Sequence, residues 1–208
     1  MKKVFFLAAA LILAAACSES GDCVIKGSVP GDVDTISLIN HEEVVLDSCY
    51  VLNGKFRFTC ERQKEAPVAI VMDKYSDPVP LIPDSGTITV KIGGKNAKIS
   101  GSKRSRQLNE LQNWAINLYM KTSGELEKLF EAKDYAAAEA FVDKRDADIV
   151  KHCKPIFKAH KDDYVGVQAM VLMYNKLDKD EFISLYESAA PCVQNDFRLV
   201  GYYKTVKK

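Results

Sequence analysis

The 208 residues contain no Cys-x-x-Cys pair, no Gly-x-Ser-x-Gly turn, no phosphate-binding glycine loop and no Gly-x-Gly-x-x-Gly run. Each absence removes a class of chemistry. Thioredoxin-type exchange needs a buried thiol close behind a low-pKa one to resolve the mixed disulfide, and that spacing is missing. The signatures of serine hydrolases, nucleotide triphosphatases and dinucleotide-binding enzymes are missing as well. An excess of either charge is also lacking: 29 Lys and Arg face 28 Asp and Glu, and Lys2 and Lys3 lie ahead of Cys17. A near-neutral chain does not present the concentrated basic face that phosphate backbones require, so nucleic acid is excluded as the main partner. The basic, aromatic end YYKTVKK reads as a solubilising helix terminus. What remains, 47% hydrophobic and 27% charged residues, is the composition of an ordinary globular protein.

The one long apolar run stands at the front, in MKKVFFLAAALILAAAC. Lys2 and Lys3 form a positive n-region, and Val4 to Leu13 are too short to span a bilayer comfortably, which is the pattern of a secretory signal. Ala14, Ala15 and Ala16 supply the small residues a signal peptidase needs, and the residue after them is Cys17. This resembles the bacterial lipobox, with Ala14 where leucine is usual. The resemblance implies cleavage after residue 16 and diacylglyceryl on the sulfur of Cys17. Several acyl chains at about 0.8 kcal/mol per buried methylene hold a protein firmly on a membrane. An ordinary signal with a cysteine at the cut is the alternative. Ser18 after the cysteine implies sorting to the outer membrane, and residues 17–22 form a short polar tether.

From Val24 to about Gly101 short β-rich runs alternate with turn residues every ten positions or so, the pattern of an antiparallel sandwich or barrel. The clearest piece is DSCYVLNGKFRFTCE, where Asn53-Gly54 suits a type I′ turn. A regular hairpin there sets Val51 against Phe56 and Cys49 against Phe58. After GSKRSR the period becomes helical. One run is broken near Thr122-Ser123-Gly124, and a second extends from about Asp134 to Lys158 with Pro155 expected to kink or end it. Shorter helices follow at about Tyr164 to Asn175, Lys179 to Ser188 capped by Asp178, and Pro191 to Val206. The expected fold is α+β, an N-terminal antiparallel β-sandwich followed by an all-helical segment with a long helical hairpin. Its parts are a signal peptide at 1–16, a tether at 17–22, a sandwich at 23–101 and helices at 102–208.

Candidate chemistry is sparse. In a regular hairpin Cys49 and Cys60 lie diagonally, with Cβ atoms roughly 7 Å apart against the ~4 Å of a disulfide, so two buried free thiols fit better. Cys153 and Cys192, on helices of one region, are the candidate disulfide, and Cys23 has no evident partner. His152, Cys153 and His160, with Asp162 and Asp163, are the metal candidates. Eight residues of helix separate the two histidines by about 12 Å, too far for one ion. Asp148 and His152 at i, i+4 suit a solvated charge pair. GSKRS before a helix suits an N-cap better than an anion site. Asp162-Asp163, and Asp143 with Asp146, read as solvated charge, and Trp114 reads as packing. No catalytic residue, metal site or cofactor is assigned.

Together CVIKGSVPG, DSCYVLNGKFRFTC, LIPDSGTITVKI and AKISGSKRSRQLNEL resemble the domain of unknown function 4369 of Gram-negative envelope lipoproteins. In that family this region precedes a thioredoxin-like domain whose Cys-x-x-Cys carries thiol-disulfide interchange. Cys60 stands where the family commonly has glycine, and the present chain ends where the thioredoxin-like domain would begin, so no catalytic residue carries over. The resemblance implies fold and compartment, and at most an association with redox proteins.

The expectation from sequence is therefore a non-enzymatic binding or scaffolding module on the outer membrane, facing the periplasm or the cell surface. Its partners are the membrane, through the lipid on Cys17, and an envelope protein; no small-molecule ligand is indicated. The alternative is an accessory in thiol-disulfide exchange that docks a separate thioredoxin-like protein or presents a reactive cysteine. A hydrolase built from scattered polar residues is a third, weaker reading.

Overall fold

The computed structural model describes residues 21–72, 78–93 and 96–207. Cys17, the signal peptide and most of the tether lie outside the described residues. Eight strands come first: β1 (Asp22–Ser28), β2 (Thr35–Asn40), β3 (Val45–Tyr50), β4 (Lys55–Glu61), β5 (Val68–Val71), β6 (Val79–Leu81), β7 (Thr87–Gly93) and β8 (Asn96–Ser100). They form two four-stranded sheets, ordered β4-β1-β7-β8 and β3-β2-β5-β6. Alternating side chains decide which faces meet. Ile88, Val90 and Ile92 of β7 point inward with Ile25 of β1 and Phe56 and Phe58 of β4, against Ile36, Leu38, Val68, Ile70 and Leu81 of the other sheet. One apolar core thus fills a sandwich, and the fold class is α+β.

Two details depart from the expectation. The pair β1 and β7 is parallel, so the first sheet is mixed. The hairpin also opens. Asn53 and Gly54 take positive φ values of 52° and 69°, as a type I′ turn demands, and Leu52 and Lys55 exchange both backbone hydrogen bonds at 3.0 Å. Beyond that rung β3 pairs with β2 and β4 with β1. The backbone explains the split. Val51 N–H donates to Asp34 C=O and Val29 N–H to Gly54 C=O, so each arm is claimed by a different strand. The turn is a corner between sheets, and Cys49 faces Ile36 rather than Phe58.

Helices α1 (Lys103–Glu131) and α2 (Tyr135–Ala159) follow. The break expected near Thr122-Ser123-Gly124 is absent. Thr122 Oγ1 donates to Leu118 C=O at 2.8 Å and Ser123 Oγ to Met120 C=O at 3.0 Å, which satisfies both hydroxyls inside the helix. Pro155 does not end α2 either, because Ile149, Cys153 and Phe157 on its buried face continue through that turn into the core. The helices run antiparallel, as their rungs show: Phe130 beside Tyr135 near the turn, Arg145 over Tyr119, and Trp114 on His152 farther along. Then come α3 (Tyr164–Met173), a 3₁₀ turn at Tyr174–Lys176, α4 (Lys179–Glu187), α5 (Pro191–Gln194) and α6 (Phe197–Val206). Asp178 caps α4 as expected, and Asp196 caps α6, splitting the single helix expected from Pro191 to Val206. Among the described residues no helix is long and apolar enough to cross a membrane.

Candidate functional site

The sandwich and the helices are joined by a short polar seam. Ser102 caps α1, its Oγ accepting from Ser105 N–H at 2.9 Å. Ser105 Oγ in turn donates to Ile82 C=O and accepts from Ile82 N–H, both at 2.9 Å, which closes the backbone of the loop after β6 without another strand. Ile82, Leu108 and Val165 seal the seam with a small apolar cluster. Arg104 crosses it, donating from Nε to Asp163 Oδ2 at 2.7 Å and from Nη1 to Asp84 Oδ2 at 3.1 Å. Asp163 is nearly fully buried, takes His160 Nδ1 at 2.8 Å on the same oxygen, and caps α3 by accepting from Val165 N–H at 2.9 Å. The Asp162-Asp163 pair, expected as solvated charge, is thus divided: Asp162 meets Lys64 at the surface at 2.7 Å, and Asp163 is a buried joint. GSKRS is likewise consumed by the joint rather than left open to an anion.

Beside the seam lies a cleft of about 640 Å³. Its sandwich wall is His41, Glu42 and the segment Glu65 to Pro67, and its helical wall includes Tyr164, Cys192 and the start of α6. Clefts where two parts of a fold meet are the ordinary place for a ligand. Arg198 is not free to recognise one. Asp196 accepts from its Nε at 2.9 Å and its Nη2 at 2.6 Å, and this pairing holds the guanidinium in its charged form. Phe197 beside it is 82% exposed at the rim. Neither Glu42 nor Glu65 makes an ion pair within 4.0 Å among the described residues, although Glu65 attracts the neighbouring Lys64, which Asp162 already holds. The cleft therefore offers two carboxylates without ion pairs, which suits a cationic group, while the Phe197 ring already has the Arg198 guanidinium 5.6 Å from its centroid.

A second groove of about 360 Å³ continues from the cleft, sharing His41, Ala66 and Pro67, into the open edge between β3 and β4. Cys60 lines it.

The sequence-derived candidates fall apart from one another. Cys153 and Cys192 are both free thiols. Cys153 is fully buried in the helical core, where burial pushes its thiol up to about 12, with Lys176 as the nearby charge. Cys192 stands in the cleft, its thiol raised first by burial and then by Glu65. No bond joins the two in this structure. His152 lies flat on Trp114, with ring centroids 3.7 Å apart, rather than pairing with Asp148, and its pKa is lowered by burial. His160 faces Asp163 instead. Asp146 pairs with Arg145 at 3.1 Å. Among the described residues no three His, Cys, Asp or Glu side chains gather as a metal site.

Cys60 has a partner that sequence reasoning missed. In the β1–β4 register it stands directly opposite Cys23. Alternation in β1 and β4 marks both as inward-facing, but nothing in the sequence indicates that these two strands pair.

Residues 23–108 match the family model described as a domain of unknown function, DUF4369. Over this segment the chain is similar to DUF4369. The matched segment takes in the sandwich from Cys23 and the start of α1, ending at Leu108, so Ser102, Arg104, Ser105 and Leu108 of the seam lie within it and their partners Asp163 and Val165 do not. The helical wall of the cleft lies beyond the matched segment. Neither the curated proteins nor the solved structures give a match.

Proposed function

We propose that the protein is a non-enzymatic binding module, held on the outer membrane through lipid on Cys17, whose cleft takes a basic segment of an envelope protein partner. The observation that carries this reading is the pairing within the cleft: Asp196 occupies Arg198, while Glu42 and Glu65 make no ion pair within 4.0 Å among the described residues. A lysine or arginine entering there meets two carboxylates, and each contact strengthens as the cleft excludes water. The signal and cysteine at the front support the compartment, and the near-neutral body supports a protein rather than a nucleic-acid partner.

Fluorescence anisotropy with a labelled arginine-rich octapeptide tests the cleft, with a glutamate-rich octapeptide as control. Saturable binding of the basic peptide alone is expected, weakened about tenfold by Glu42→Gln with Glu65→Gln. The pair Glu125→Gln with Glu127→Gln, on the distant helical hairpin, should leave binding unchanged. Equal loss in both double variants, or equal binding of both peptides, contradicts the reading.

A further inference from the structure

We infer that Cys23 and Cys60 are a redox pair that closes into a cross-strand disulfide, with Cys60 as the sulfur reached from solvent.

The backbone sets up the pair. Arg62 N–H donates to Gly21 C=O at 2.5 Å, and Val24 N–H turns the other way, to Gly86 C=O at 3.0 Å. Asp22 and Glu61 are therefore a non-hydrogen-bonded pair, and the next rung inward, Cys23 opposite Cys60, is a hydrogen-bonded one. Residues on such a rung have Cα atoms about 5.5 Å apart, inside the range of a disulfide, and their Cβ atoms, at the wide end of about 4.5–5.5 Å, must close by about 1 Å for the bond to form. Both side chains are on the core side of their sheet, and each thiol shifts the ionisation of the other.

Exposure assigns the roles. Cys23 is fully buried, whereas Cys60 is half-buried at the wall of the open-edge groove. Ionising the buried sulfur costs more solvation, so Cys23 keeps its proton and Cys60 is the thiol that ionises first. The neighbouring Cys23 thiol lowers the Cys60 pKa below its ordinary value, and Cys60, together with burial, raises that of Cys23. The charges facing the pair are Asp22, which opposes ionisation of Cys60, with Arg62 favouring and Asp84 opposing that of Cys23.

The oxidant is a small disulfide, RSSR′. The Cys60 thiolate attacks one sulfur, forming a Cys60–SR mixed disulfide and releasing R′S⁻, which takes up a proton. Cys23 then gives up its own proton and attacks Cys60 Sγ, expelling RS⁻. The protein loses two electrons and two protons, and RSSR′ becomes two thiols. Closure would tie β4, an edge strand, to β1 at the mouth of the groove that adjoins the cleft. This inference stands whether or not the cleft binds a basic segment.

The test treats the folded, reduced full chain with oxidised glutathione, quenches free thiols with iodoacetamide, and maps tryptic peptides without reduction. The expected product joins Phe58–Arg62 to the peptide ending at Lys26, and fragmentation locates the bond on Cys23 rather than Cys17. Prior alkylation of Cys60 should abolish it. In Cys23→Ser, Cys60 should accumulate as the glutathione adduct, since the resolving sulfur is gone. A bond from Cys60 to Cys49 or Cys17, a glutathione adduct that persists on Cys60 in the unmutated chain, or two thiols that stay reduced would overturn the inference. Because the first measurement uses the unmutated protein, it does not depend on the variant folding.

Discussion

Trp114 and His152 stack face to face across the helical hairpin, with ring centroids 3.7 Å apart and planes 15° from parallel. The contact puts a titratable ring where burial disfavours its charged form, so the His152 pKa falls below the ordinary 6.5. In the unfolded chain the ring binds a proton below that value while the folded chain resists doing so. Stability contributed here is therefore fully present above pH 6.5 and is lost as pH falls from there through the lower folded value. Urea titrations between pH 8 and pH 5 should show this decline. His152→Phe, which keeps the stack without the titration, should reduce the slope by up to about 1.4 kcal/mol per pH unit. An unchanged slope would mean that His152 is not the group responsible.

Arg104 is the pin of the joint. Its partner Asp163 is 1% exposed while Arg104 itself keeps 35% of its side chain in contact with solvent. Removing the cation strands a buried carboxylate, and the usual cost of 3–5 kcal/mol for a buried pair is tempered by that exposure to about 2–4 kcal/mol for Arg104→Met. Adding Asp163→Asn should recover part of the loss, because the more deeply buried of the two stranded carboxylates is then neutral, while Asp84 keeps its share of the cost. Chemical denaturation of the two variants checks this, and a double variant no more stable than the single one would argue against the charge as the cause.

Gly27 sits in β1 between two claimants. A Cβ there would lie 1.9 Å from Val90 O and 2.7 Å from the ring of Phe56. Backbone cannot yield as a flexible side chain does, so Gly27→Ala should cost at least about 3 kcal/mol and lower the denaturation midpoint accordingly. Gly124→Ala, with nothing within 4 Å of the added atom, should gain a few tenths of a kcal/mol to about 1.

The comparison of sequence with structure follows the range of the interactions. Asn53-Gly54 reads directly as a turn because positive φ is a local demand, and Asp178 reads as a cap for a similar reason. The fate of the strands flanking that turn was not legible, since the choice between pairing with each other and pairing with β2 and β1 is made by the rest of the sandwich. The same holds for Thr122 and Pro155. Both are weak helix residues by propensity, and both are overruled, one by a hydroxyl bond to Leu118 and the other by a buried face that runs past it. Cys23 and Cys60 are the clearest instance at a site. Alternation shows that each faces inward, but only the register shows that they face each other. The cleft was illegible for the same reason, because its walls come from residues 41–67 and 164–198.

The account rests most heavily on attachment of the folded body to a membrane through Cys17. Mass spectrometry of the N-terminal peptide, taken from protein extracted from the membranes of the cells that make it, tests this directly. The account predicts a chain that begins at Cys17 and carries diacylglyceryl in thioether linkage on its sulfur. An intact residue 1, or a cut that leaves Cys17 with an unmodified thiol, would contradict it.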